Sequence, residues 1–266
     1  MMWVGLRMVS KLTFLGTGSA FTVGAANWQS NMLIESEEGR RLLIDCGGDA
    51  RLALAERGLE ARDIDAVYIS HLHSDHVGGL EWLGFSTYFD AGAARPALFI
   101  EENKVARLWT NSLSGSMARS GLATLDDYFE VRPVSGDGGF VWEGQRFDLT
   151  GMLHCMDGSV PLISFGLRFE TDIGRFLITS DTRFEPQRCA SLYAWAEIIF
   201  HDCETSYAAD GTPARSGIHA HYEDLRTLPS DVRAKMWLYH YQPGPRPDAQ
   251  AEGFRGFVAK GQVFGL

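Results

Sequence analysis

Short apolar runs bounded by polar turns recur along the chain, and no uncharged run approaches the roughly 18 residues of a membrane span. Residues 11–15 read as a strand running into the turn Gly16-Thr17-Gly18-Ser19. Residues 31–35 and 41–45, joined by an acidic turn ending in Gly39-Arg40, predict a hairpin. Leu52, Leu54 and Ala55 are spaced for a helix over 49–58, with Gly58 suited to its C-terminal cap. The apolar run 66–70 predicts a buried strand, and 80–89 an apolar helix. A strand over 96–100, a helical stretch from 101 to about 111 and a flexible loop over 112–121 close the first half.

The second half repeats this rhythm. Strands are predicted over 140–142, 146–153, 162–170, 174–179, 197–200 and 234–239, and helices over 222–228 and 248–260. Two groups of strands with helices on the outside predict one domain of two packed sheets with helical outer layers. Met8 is a candidate start, and residues 1–10 read as a non-native or disordered extension to that domain, with no small-residue cleavage site.

Composition narrows the function. The 266 residues are 45% hydrophobic and 22% charged, enough for a full core without staples. A formal net charge of −10, with no basic run denser than Arg40-Arg41, argues against extended nucleic acid as a partner; a single small phosphate ester remains compatible. Cys46, Cys155, Cys189 and Cys203 form no CxxC pair and read as reduced thiols of a cytoplasmic protein.

All eight histidines fall in polar clusters at or just past a predicted strand end: His71, His73, His76, His154, His201, His219, His221 and His240. His71-Leu72-His73-Ser74-Asp75-His76 is the densest. In extended chain, residues two apart project to one side, so His71 and His73 can share an ion while Asp75 and His76 face a second. Imidazole and carboxylate suit zinc or another borderline divalent metal.

As it stands, this segment is the HxHxDH signature, and the chain resembles the metallo-β-lactamase superfamily over nearly its whole length. The Gly16–Ser19 turn and the Leu43-Ile44-Asp45-Cys46-Gly47 strand end look like that family's opening. The resemblance implies an αββα sandwich with a two-metal site, filled by two Zn²⁺ per subunit, with Mn²⁺ or another divalent ion as a substitute. His71, His73 and His154 would hold the first ion. Asp75, His76 and His240 would hold the second, with Asp181 bridging and Asp75 also counted as catalytic. Asp45 is expected either to orient a ligand histidine or simply to occupy the turn before Gly47-Gly48.

Two further clusters, His201-Asp202-Cys203-Glu204 and Gly217-Ile218-His219-Ala220-His221-Tyr222, resemble the ribonuclease Z-like branch. There a histidine protonates the leaving oxygen and an acidic residue steadies it. His219 is the expected acid and Asp202 its partner, with His221 and Glu204 as competing candidates. The segments around these motifs are similar to the anti-Pycsar cyclic-nucleotide phosphodiesterases of phages and bacteria. That likeness implies hydrolysis of cyclic mononucleotides with tolerance of the base, evasion of antiviral signalling, a homodimer, and action in the cytoplasm, the host's if the source is viral. Two dications offset by two carboxylates and an ionised water leave a small positive charge, which suits a phosphodiester monoanion.

Trp109, Tyr207, Tyr222 and Tyr241 are candidates to stack on a base, and the 112–121 loop to close over it in cis or from a partner subunit. Rival readings are a tRNA 3′-end endonuclease, a zinc-containing protein that sequesters cyclic nucleotides without cutting them, and a carbon-ester hydrolase.

Overall fold

Alternation of side chains along the strands fixes the layers. A computed structural model describes residues 9–266. The first sheet contains β1 (Val9–Phe14), β2 (Met32–Ser36), β3 (Arg41–Ile44), β4 (Ala66–Ile69), β5 (Ala97–Glu101) and β6 (Glu130–Val134). The second contains β7 (Gly139–Trp142), β8 (Gln145–Asp157), β9 (Val160–Thr171), β10 (Gly174–Ile178), β11 (Ile198–Asp202), β12 (Met236–Tyr239) and β13 (Gly256–Phe257). The last strand, β14 (Val263–Gly265), returns to pair with β1, giving orders β14-β1-β2-β3-β4-β5-β6 and β13-β12-β11-β10-β9-β8-β7.

Successive side chains of a strand point to opposite faces. Leu12, Phe14, Met32, Ile34, Leu42 and Ile44 therefore turn inward to meet Phe147, Leu149, Phe165, Leu167, Phe176 and Ile178 between the sheets. Their neighbours Leu33, Leu43, Val67 and Leu98 turn outward and are covered by Leu54, Leu80 and Leu83 of the helical layer. On the far side, Leu177, Ile199 and Leu238 pack under Cys189, Tyr193, Tyr222 and Leu225. The order of layers is helix, sheet, sheet, helix, as the resemblance implies.

Several sequence expectations need correction. Val9 and Ser10 belong to β1, where Val9 pairs with Ser36, so the expected 1–10 extension is too long; its residues 1–8 and the candidate start at Met8 lie outside the described residues. The 248–260 stretch is no helix. Gly253 and Gly256 adopt φ of +84° and +135°, which no helix accommodates, and the segment becomes turns and β13. The 112–121 loop is helical as far as Met117, and Leu113 and Met117 are buried under the outer layer. A helix the sequence reading omitted, Pro186–Trp195, covers the second sheet.

Candidate metal centre

Parallel strands bring their carboxyl ends to one edge. β3 and β4 run parallel, as do β10, β11 and β12. Asp45 follows β3, His71 and His73 follow β4, Asp181 follows β10, Asp202 closes β11 and His240 follows β12. Chemistry at the carboxyl ends of such strands follows from this topology. His154 arrives differently. Its strand does not stop at Leu153 but continues to Asp157, and the β8–β9 register shifts between Leu153 and Cys155. That bulge turns the buried His154 side chain toward the same edge.

Two groups of four donors result, each with its atoms within 4.8 Å of one another: His71, His73, His154 and Asp181, then Asp75, His76, Asp181 and His240. Asp181 belongs to both. In the first, Nε2 of His71 and Nε2 of His154 each lie 3.0 Å from Nδ1 of His73, and both lie 3.7 Å from Asp181 Oδ2. A tetrahedral zinc with arms of about 2.0–2.1 Å has edges of roughly 3.3 Å, so this spacing fits a divalent ion. In the second, His76 Nε2 lies 3.2 Å from Asp75 Oδ2 and 3.3 Å from Asp181 Oδ2, while His240 Nδ1 is 3.6 Å from Asp181 Oδ1. His76 Nε2, Asp181 Oδ1 and both ring nitrogens of His240 are buried without a hydrogen-bond partner. Unpartnered buried polar atoms are destabilising, and here His76, Asp181 and His240 each have one within reach of a shared ion.

In the first group the electrostatics agree with that fit. Burial, reinforced by neighbouring histidines, holds His71 and His73 below the ordinary imidazole range, and burial does the same to His154, so all three present lone pairs at neutral pH. Burial opposes charge on His76 as well, but Asp181, Asp75 and Asp45 outweigh it and raise its pKa. Asp75, although buried, is pulled down to about 2 by His76, and Asp181 is held well below the usual carboxylate range by His240 and His76.

The outward nitrogens are anchored. His76 Nδ1 is 2.7 Å from Asp45 Oδ2, and the Asp45 carboxylate also accepts from Ser70 N and Ser70 Oγ, both at 2.8 Å. Of the two expectations for Asp45, the structure shows the orienting contact. His154 Nδ1 donates to the Ile218 carbonyl at 2.9 Å. The Thr17 carbonyl accepts from His240 N at 2.8 Å, which gives the early turn its purpose. Among the described residues, Asp45, Ser180 and His240 are three of the four non-glycines with positive φ (60°, 54° and 65°), a strain that surrounding bonds must hold. Gly47 packs against the Asp75 carbonyl so closely that a Cβ there would overlap it.

Beside the two donor groups stands a third: Asp181, Asp202, His219 and His240. His219 Nδ1 is 2.8 Å from Asp202 Oδ2, which also accepts from Thr182 N at 2.9 Å. The His219 ring lies over that of His240, centroids 4.9 Å apart. Burial disfavours its charge, yet Asp202, with smaller help from Asp181 and Glu204, lifts its pKa to about 10. The competing pair points elsewhere. His221 caps the helix Tyr222–Leu225, accepting from Glu223 N at 3.1 Å through Nδ1 and donating to Ser206 O at 2.8 Å through Nε2. Glu204 accepts from Ser216 N and Oγ, bracing the loop that carries His219.

A cavity of about 460 Å³ opens onto His71, His73 and His154. None of the four aromatic candidates lines it. Tyr222 and Tyr241 are buried, Trp109 packs against the outer helical layer, and Tyr207 donates to Glu223. Asn111 and Ser112 do line it, as do Lys104 and Arg107, which sequence reasoning missed. Their only signal was a pair of cations three apart directly after a strand end.

The family model of the anti-Pycsar protein Apyc1 matches residues 10–264. A relative from Paenibacillus harenae, the anti-Pycsar protein Apyc1, is 34% identical over 232 residues, which cover 86% of this chain and 89% of that one. Two solved structures share the architecture. The metallo-β-lactamase fold protein YhfI from Bacillus subtilis superposes with a TM-score of 0.74 at 18% identity, over 97% of this chain and 99% of that one. Human tRNase Z, short form, gives 0.67 at 19% identity, over 96% and 98%. The fold is that of the metallo-β-lactamases, including the ribonuclease Z type.

Proposed function

Because this chain belongs to the anti-Pycsar Apyc1 family, we propose that it is a two-metal phosphodiesterase that opens 3′,5′-cyclic nucleotides to nucleoside 5′-monophosphates. Its substrates are cyclic CMP and UMP together with cyclic AMP and GMP, and their removal counters cyclic-nucleotide antiviral signalling in the cytoplasm. One observation carries the reading: two four-donor groups share Asp181, with a His219–Asp202 pair beside them.

In this proposal His71, His73, His154 and Asp181 hold one divalent cation, and Asp75, His76, His240 and Asp181 hold the other, zinc by the donor chemistry. Bound there, such cations supply Lewis acidity toward the phosphate and a water acidic enough to ionise near neutrality. Asp45 fixes the ring of His76 through its 2.7 Å contact, and Ile218 fixes that of His154. Asp202 holds the proton of His219 Nδ1 and favours the imidazolium, leaving Nε2 to give its proton to the departing O3′. The water oxygen joins phosphorus, the P–O3′ bond breaks, and the released alkoxide takes up that proton. General acid help of this kind is worth about 10²–10⁴-fold.

A homodimer completes the proposal, and Phe21 and Val23, 91% and 86% exposed, offer it apolar surface. The test is to incubate metal-loaded protein with the four cyclic mononucleotides and a tRNA precursor and to resolve the products. The proposal expects 5′-monophosphates. Trimmed tRNA with intact cyclic nucleotides, or tight binding without turnover, would overturn it.

A further inference from the structure

His201 stands in one of the sequence clusters, yet it belongs to none of the donor groups. Side chains alternate along β11. Phe200 turns into the space between the sheets and Ile199 toward the helical layer. Asp202 follows Phe200, and His201 follows Ile199 away from the metal centre to lie under the helix Pro186–Trp195. It is fully buried and has a partner at each ring nitrogen. Nδ1 lies 2.7 Å from the carbonyl oxygen of Asp202, and Nε2 lies 2.8 Å from the hydroxyl of Tyr193. A carbonyl only accepts, so Nδ1 carries the proton and donates it. Burial holds His201 below the ordinary imidazole range, so Nε2 keeps its lone pair and accepts from Tyr193. One tautomer satisfies both contacts. Tyr193 is itself held, buried on its helix with its carbonyl accepting from Lys235 Nζ at 2.9 Å.

The Asp202 peptide groups need such partners. Pairing of β10 with β11 ends at Phe200, and buried backbone groups beyond it must find other partners. Asp202 N donates to Thr179 Oγ1 at 3.0 Å, and Asp202 O accepts from His201. The main chain of Asp202 is thus gripped at both groups, and from that fixed base its carboxylate accepts from Thr182 N and meets His219 Nδ1. We infer that His201 is a positioning residue: by donating from Nδ1 to the Asp202 carbonyl, with Tyr193 fixing its ring, it sets the Asp202 carboxylate against His219. The inference rests on the phosphodiesterase reading above, in which His219 protonates the departing O3′. Loss of His201 therefore slows a step that needs this acid and spares one that does not. An alkoxide leaving group requires the proton, whereas p-nitrophenolate, a far weaker base, departs without it. Misplacing a catalytic group by on the order of an ångström costs up to about 100-fold.

The test measures kcat and KM for cyclic UMP and for bis(p-nitrophenyl) phosphate in metal-loaded native protein, His201→Leu, His201→Asn and Tyr193→Phe. Tm and metal content are measured on the same preparations. His201→Leu is expected to lower kcat for cyclic UMP by about tenfold to a hundredfold at unchanged KM, and turnover of bis(p-nitrophenyl) phosphate by less than about twofold. Asparagine places its amide nitrogen where the imidazole Nδ1 stood, so His201→Asn is expected to recover most of the loss. Tyr193→Phe loosens the ring without removing the donor and is expected to show the same split at a smaller size. It keeps the test decisive if His201→Leu fails to fold. Equal losses on both substrates, or no loss on either, in folded and metal-replete variants overturn the inference alone. Native protein that cleaves bis(p-nitrophenyl) phosphate and no cyclic nucleotide overturns the cyclic-nucleotide reading beneath it instead.

Discussion

Replacing Asp202 by asparagine isolates the charge that poises His219. The carboxylate is fully buried, 2.8 Å from His219 Nδ1 and 2.9 Å from Thr182 N, and the amide is nearly isosteric. With Asp202 charged, the His219 pKa stands at about 10; without it, the largest raising partner is gone and the group falls back toward the ordinary imidazole value of about 6.5. Bound cations disfavour the imidazolium with or without Asp202, so native and variant protein are compared in the same metal state. A raised pKa keeps the acid form as pH rises, and its loss therefore moves the alkaline limb of kcat/KM toward acid, by up to roughly three pH units. Near pH 8.5 the protonated fraction falls from almost all to a minor share, a loss of up to about 100-fold, while near pH 6 the loss is small. The assay is the pH profile on cyclic UMP between about pH 6 and 11, with metal content measured on the same preparations. An unmoved alkaline limb in Asp202→Asn protein that keeps its metals would refute the reasoning.

Other substitutions probe the rest of the site. Asp75→Ala removes a donor from the second group and is expected to leave fewer than two bound cations per chain by elemental analysis. Asp45→Asn weakens the 2.7 Å anchor of His76 and should lower metal affinity by about 10–100-fold in a chelator competition. Gly47→Ala forces a methyl against the Asp75 carbonyl, an overpacking of about 1–3 kcal/mol that lowers Tm and is read by thermal unfolding.

What the sequence disclosed follows from how local each feature is. His71, His73, Asp75 and His76 lie on one continuous segment, and strand alternation plus a single helical turn suffice to aim them. His154, Asp181 and His240 are far apart along the chain. Only the resemblance pointed to them, because their convergence depends on the parallel register of β10–β12 and on a bulge in β8. His219 and His221 precede the same helix, and only the fold shows that His221 spends both ring nitrogens on backbone groups. The final segment was misread because its apolar spacing mimics a helix, while Gly253 and Gly256 take positive φ values that an α-helix does not contain. Lys104 and Arg107 look like ordinary surface cations until β9 is packed opposite them.

The sharing of Asp181 between two cations is the claim on which the account stands, and the diffraction of zinc-reconstituted crystals at the zinc absorption edge tests it most directly. The account requires two anomalous peaks per chain, one among His71, His73 and His154 and one among Asp75, His76 and His240, with the Asp181 carboxylate between them. A single peak, or a second one away from Asp181, would contradict it.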